Sequence, residues 1–138
     1  MKRLLLFAMA CLLFVSCDKE SIQEKRLVGK WKLNKAELEQ ISYRETTVDE
    51  EYYESTYYIF YEEGTMKIID EKNKIREYVY SLDMDAMTLT YGEYECAVEK
   101  LTKSSLILCL TTYFLDGTAP TQPAKGTVNT HYYFSKVK

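Results

Sequence analysis

The sequence predicts an all-β domain, an eight-stranded antiparallel up-and-down barrel, and three observations predict it. The chain has 13 tyrosines and only 2 prolines, both in one loop. Tyr and β-branched residues suit half-buried pleated surfaces better than helices. Apolar residues alternate at period two in several short segments, and no stretch carries a capped stripe at i, i+3, i+4 and i+7. Eight strand-like segments follow one another through short connections. An even number lets the last strand close on the first and leaves no open sheet edge. An open sandwich of the same strands is the alternative architecture.

Ahead of the barrel, residues 1–16 form an export signal. Lys2 and Arg3 precede an apolar run from Leu4 to Val15, shorter than the ~18–20 residues that span a membrane. The run ends in Phe14-Val15-Ser16-Cys17, followed at once by the charges Asp18, Lys19 and Glu20. This ending resembles the lipobox of bacterial lipoproteins, which implies cleavage before Cys17 and lipidation of that residue. The expected mature chain keeps 122 of the 138 residues, with 16 Lys+Arg against 21 Asp+Glu, a formal net charge of −5. Nucleic acid, which attracts basic surfaces, is a poor partner for it. The implied partner is a membrane, held through the N-terminal lipid. Early acidic residues after the cysteine resemble surface-export signals of Bacteroidetes-type lipoproteins, so the expected address is the outer membrane. Residues 17–25 read as lipidated cysteine and polar tether, and 26–138 as the barrel.

The strands are expected at about 27–43, 55–61, 65–70, 74–82, 86–91, 94–101, 105–114 and 128–137. The clearest hairpin turns at Glu62-Glu63-Gly64, with Gly64 taking a positive φ. Pairing 61 with 65 sets Phe60 beside Met66 and Tyr58 beside Ile68, which gives one apolar face. Met87, Leu89 and Tyr91 share a face, as do Tyr94, Cys96 and Val98. A second hairpin turns at Thr102-Lys103-Ser104. The acidic run Asp49-Glu50-Glu51-Tyr52-Tyr53-Glu54 reads as a solvated loop, because it lacks the spacing and glycine of a calcium loop. Loop 115–127 holds both prolines, is long for a hairpin, and reads as a shaped, functional connection.

The segment Leu27-Val28-Gly29-Lys30-Trp31-Lys32-Leu33 resembles the Gly-x-Trp first-strand signature of lipocalins and lipocalin-like proteins. Phe60-x-x-x-Gly64-Thr65, Val98-x-x-Leu101-Thr102 with Leu106-x-Leu108, and the terminal Tyr132–Val137 segment resemble the lipocalin-like lipoproteins common in Bacteroidetes. The resemblance implies that Trp31 closes the barrel floor and that Gly29 permits a tight backbone approach there. The second and third lipocalin motifs are missing, including the C-terminal arginine that covers the tryptophan. Lys136 or Lys138 is the expected substitute, as a cation over the indole.

No catalytic, metal or cofactor site is expected. His131 is the only histidine, it should face outward, and no H-x-x-E, C-x-x-C or G-x-S-x-G spacing surrounds it. Cys96 and Cys109 fall on opposite faces of neighbouring strands, which prevents a bridge unless a bulge reverses the phase. The expected ligand-lining residues are Tyr58, Phe60, Tyr78 and Tyr80 from the first half, and Leu89, Tyr91, Tyr94 and Val98 from the second. They would either hold a small hydrophobic or amphipathic ligand or fill the interior themselves. Two non-enzymatic functions follow: capture of such a ligand, implied by the resemblance, or contact with an envelope protein through the loops. An empty interior favours the first and a filled one the second.

Overall fold

A computed structural model of the protein describes residues 22–117 and 125–138. The expected signal peptide, the Cys17 anchor, the first part of the tether and the centre of loop 115–127 lie outside the described residues. Among those described, nine strands run in antiparallel order: β1 (Gly29–Ile41), β2 (Thr46–Tyr52), β3 (Tyr57–Phe60), β4 (Thr65–Ile69), β5 (Ile75–Asp83), β6 (Thr88–Tyr91), β7 (Tyr94–Leu101), β8 (Ser105–Leu115) and β9 (Lys125–Lys136). Neighbours in sequence pair from β3 through β9, and β9 returns to β1 along nearly its whole length, from Trp31↔Lys136 to Ile41↔Thr127. The result is a closed eight-stranded barrel of β1 and β3–β9, with β2 as an extra strand. The sandwich alternative is thereby excluded.

A bulge explains how β1 serves two partners on one side. Its lower half pairs with β3, from Gly29↔Phe60 to Lys32↔Tyr57, and its upper half pairs with β2, from Lys35↔Tyr52 to Ile41↔Thr46. The register against β9 shifts between Leu33 and Lys35. There the backbone ties to the crossing segment instead: Leu33 N donates to Thr56 O and Tyr53 N to Asn34 O, each at 2.9 Å. A bulge bends its strand and increases local twist, which lets β1, β8 and β9 run on past the rim as a sheet, with β2 added at its edge.

The hairpin register is as the sequence predicts. Phe60 pairs Met66, Tyr58 pairs Ile68, Tyr61 N donates to Thr65 O at 2.9 Å, and Gly64 has φ +94°. The turn at 102–104 closes with Thr102 N to Ser105 O at 2.8 Å. Cys96 and Cys109 are free thiols on opposite faces of the wall, Cys96 fully buried inside and Cys109 half-buried outside.

Three expectations need correction. The acidic run 49–54, read as a loop, contributes residues 49–52 to β2, whose side chains are exposed on both faces. A strand with no dry face shows no apolar alternation, so periodicity could not reveal it. The first strand begins at Gly29 rather than 27, because 22–27 form helical turns that lay the buried Leu27 across the barrel end. Met87 is not on the inner face: it sits in the turn before β6 with φ +52°, 42% exposed, and its carbonyl accepts from Val98 N at 2.8 Å.

Candidate functional site

The barrel has a closed floor, a filled body and a recessed mouth. At the floor the Trp31 indole is fully buried and donates through Nε1 to Leu27 O at 2.8 Å, joining the helical turns to β1. Lys136 Nζ stands 4.5 Å from the ring centroid and donates to Arg26 O at 2.8 Å and Val28 O at 2.5 Å. The lysine thus covers the tryptophan, as expected of Lys136, while also satisfying carbonyls left open at the end of the helical turns. Burial lowers the pKa of this ammonium.

The body is occupied by side chains. Trp31, Met66, Leu89, Cys96 and Leu106 have no accessible surface, and such a residue borders no void large enough for water. Of the expected lining residues, Tyr58, Phe60, Leu89, Tyr91 and Val98 are buried in this core, with Tyr78 and Tyr80 packed against it. Their rings meet edge to face: Tyr58 with Phe134 at 4.7 Å, Tyr78 with Tyr91 at 5.5 Å, and Phe60 with Tyr80 at 5.1 Å. The Tyr80 hydroxyl donates to Tyr61 O at 2.7 Å. Tyr94 departs from its expected inward facing. It is 41% exposed at the start of β7, with its ring tilted against Tyr91.

At the mouth the strands that end early leave a recess of about 440 Å³ against the taller β1 and β9. Leu33, Tyr53, Tyr58 and Tyr132 supply its aromatic and aliphatic wall, and Thr56, Asp70, Glu71 and Lys72 its polar rim. Burial raises the phenol of Tyr53 to about 12 and shifts those of Tyr58 and Tyr132 upward. All three stay neutral at ordinary pH and keep an O–H able to donate. Tyr53 Oη already donates to Glu51 Oε2 at 2.9 Å.

Glu71 organises the rim. Its carboxylate accepts from Ser55 Oγ, from Glu54 N at 2.8 Å, from Ser55 N at 2.9 Å and from Thr56 Oγ1 at 3.2 Å. The Ser55 bonds first, then those from Glu54 and Thr56, hold its carboxyl below the ordinary range. A depressed carboxylate stabilises the fold above its unfolded pKa of ~4.3 and loses that contribution as pH falls through its folded value. Glu71→Gln should therefore lower the melting midpoint at neutral pH and converge with wild type in acid. Parallel curves at all pH values would show that Glu71 is not the group responsible.

A larger groove of about 640 Å³ lies at the opposite end, bordered by Glu24, Glu62, Glu63 and Tyr80 among others.

The structure also brings together residues that the sequence reading kept apart. His131 faces outward as expected, but it has partners: Nδ1 contacts Glu99 Oε1, and Nε2 lies 4.0 Å from Cys109 Sγ. Cys109 and His131 pair directly across β8 and β9, and Glu99 arrives through a register shift in β7 between Val98 and Lys100. The first pairing was within reach of the sequence, from aligning 105–114 with 128–137. The bulge has no sequence mark.

Among solved structures, a lipocalin-like protein from Bacteroides uniformis is similar to this chain, with 17% identity and a TM-score of 0.45 over 81% of this chain and 99% of that one. No protein-family model and no curated protein matches the sequence. The barrel itself is defined by this chain's own strand order and closure.

Proposed function

We propose that the domain captures a small amphipathic molecule at the mouth of the barrel, not within its body, and does so at the surface of a membrane to which Cys17 anchors it. The observation that carries this reading is the mouth recess, where an aromatic wall from Tyr53, Tyr58 and Tyr132 meets the charged rim at Asp70, Glu71 and Lys72. Its volume of about 440 Å³ is at the lower end of the ~300–1,000 Å³ of small-molecule sites. A ligand with an apolar body and a polar head matches both surfaces. Burial of its body against three rings contributes at ~25 cal/mol per Å². Fatty acids and an anionic hydrophobic dye are suitable probes. Saturable binding is expected, and Tyr132→Ser should weaken it about tenfold or more by removing part of the wall. A flat titration across these probes, or equal affinity in the variant, would sink the reading.

The anchor has its own test. A diacylglyceryl group plus an amide-linked acyl chain on the N-terminal residue exceeds the two chains that stable membrane attachment needs. Cys17→Ser should move the protein from the membrane fraction to the soluble one, and an unchanged distribution would remove the lipoprotein reading.

A filled interior, taken alone, tips the balance toward an envelope protein partner, and one observation favours that second reading. The sheet that projects above the rim exposes Val48, Ile41, Tyr113 and Leu115, with Tyr43 at its tip. Ile41, Thr127 and Tyr113 stand in one row across β1, β9 and β8. The loop between β8 and β9 springs from this same end.

A further inference from the structure

We propose that Glu99, Cys109 and His131 form a site for one divalent transition-metal ion of the zinc class on the outer wall of the barrel. Three adjacent strands supply one ligand each. The thiol, an imidazole nitrogen and a carboxylate oxygen all lie within 4.8 Å of one another. Bonds of ~2.0 Å to nitrogen or oxygen and ~2.3 Å to sulfur put tetrahedral ligands roughly 3.5 Å apart. Glu99 now touches Nδ1 of His131 while Cys109 approaches Nε2, so an ion requires the carboxylate to move out from the ring and the imidazole to turn until one nitrogen faces both partners. Long side chains at a partly open surface can do this. Glu99 is on the exposed side of the cluster, and Cys109 and His131 are half-buried.

The local backbone is arranged for the cluster. In a regular ladder β7 would present alternate residues outward, Ala97 opposite Cys109 and then Glu99 opposite Ile107. The register shift gives the Ile107 pairing to Lys100 and leaves Glu99 without a ladder partner, and it is Glu99 that reaches across β8 to His131. Bulges are known for re-aiming a side chain in this way. A Glu–His pair alone accounts for neither the thiol nor the further acid around it. Glu37 pairs with His131 across β1 and β9, and Glu39 acts on the Cys109 thiol from the same face. Thiolate, imidazole and carboxylate together suit zinc over magnesium or calcium, which take oxygen ligands. Three protein ligands leave a fourth position for water.

The same three groups in the order thiol, imidazole, carboxylate could serve as nucleophile, base and orienting acid. Burial first, and Glu99 second, push the Cys109 thiol up. An activated nucleophile needs the opposite. A metal cation reverses that balance, because it favours the thiolate and screens the carboxylate.

The test is titration of the chelator-treated full chain with Co²⁺, followed by displacement with Zn²⁺. One equivalent should give a thiolate-to-cobalt charge-transfer band with the visible bands of a four-coordinate ion, and Zn²⁺ should remove both. Cys109→Ser should abolish the charge-transfer band while every other cysteine remains. His131→Ala and Glu99→Gln should each weaken binding about tenfold or more. Circular dichroism of each variant separates lost binding from lost fold. No charge-transfer band in the wild type, a band retained by folded Cys109→Ser, or unchanged affinity in folded His131→Ala would each overturn the proposal.

Discussion

Trp31→Ala should cost about 3–5 kcal/mol of stability, the range for deleting a large aromatic from a packed core. The indole is fully buried, and three structural links pass through it. Its ring fills the floor, its Nε1 holds Leu27 O, and its face receives Lys136. Loss of the ring leaves the Leu27 carbonyl without that donor and the ammonium of Lys136 over a cavity. Against a small domain's ~5–15 kcal/mol, this is a large share. The melting midpoint, followed by circular dichroism because the only tryptophan is gone, should fall by at least about 10 °C. A fall of one or two degrees would mean that the floor is held by something else.

Gly29→Ala should also be strongly damaging, for a different reason. Gly29 has φ +131°, a conformation side-chain-bearing residues rarely adopt, and such strain costs about 1–3 kcal/mol. An added Cβ would also lie 2.8 Å from Lys136 Cε and 2.9 Å from its Nζ. The lysine would have to retreat from the carbonyls of Arg26 and Val28, losing bonds that a charged donor makes strong. Together these give roughly 2–4 kcal/mol. Gly117→Ala is the control, since among the described residues nothing lies within 4 Å of its added Cβ, and it should stay within about 0.5 kcal/mol of wild type. Adding Lys136→Ala to Gly29→Ala should recover the steric part and leave the backbone part. Equal midpoints for Gly29→Ala and Gly117→Ala would contradict the tight approach at the floor.

These two positions mark what was legible in the sequence. A floor residue must be large, apolar and invariant in facing, and Gly-x-Trp states that in three letters. Hairpin registers were legible too, because one side of each strand faces the core and a slip of one residue would expose it. Residues that obey no dry-face rule were not. β2 carries exposed side chains on both faces and is held by its ladder to β1 and by Lys35 against Glu50 at 3.6 Å. Alternation placed Tyr94 inward beside Cys96 and Val98, yet at the end of a strand there is rim rather than core on that side, and its ring stays wet. Alternation with Val98 already turns Glu99 outward, but its release from the ladder toward His131 depends on a bulge, a backbone event that the side chains do not announce. The mouth recess depends on which strands stop early, a matter of tertiary closure.

The most direct test of the site is to follow backbone and indole N–H resonances during titration with a spin-labelled fatty acid. Binding at the mouth should broaden signals at Leu33, Tyr53, Thr56 and Tyr132, while the single indole N–H of Trp31, buried at the opposite end, keeps its position and width. If the indole signal broadens first and the mouth residues stay sharp, the ligand enters the body of the barrel and the mouth recess is not its site.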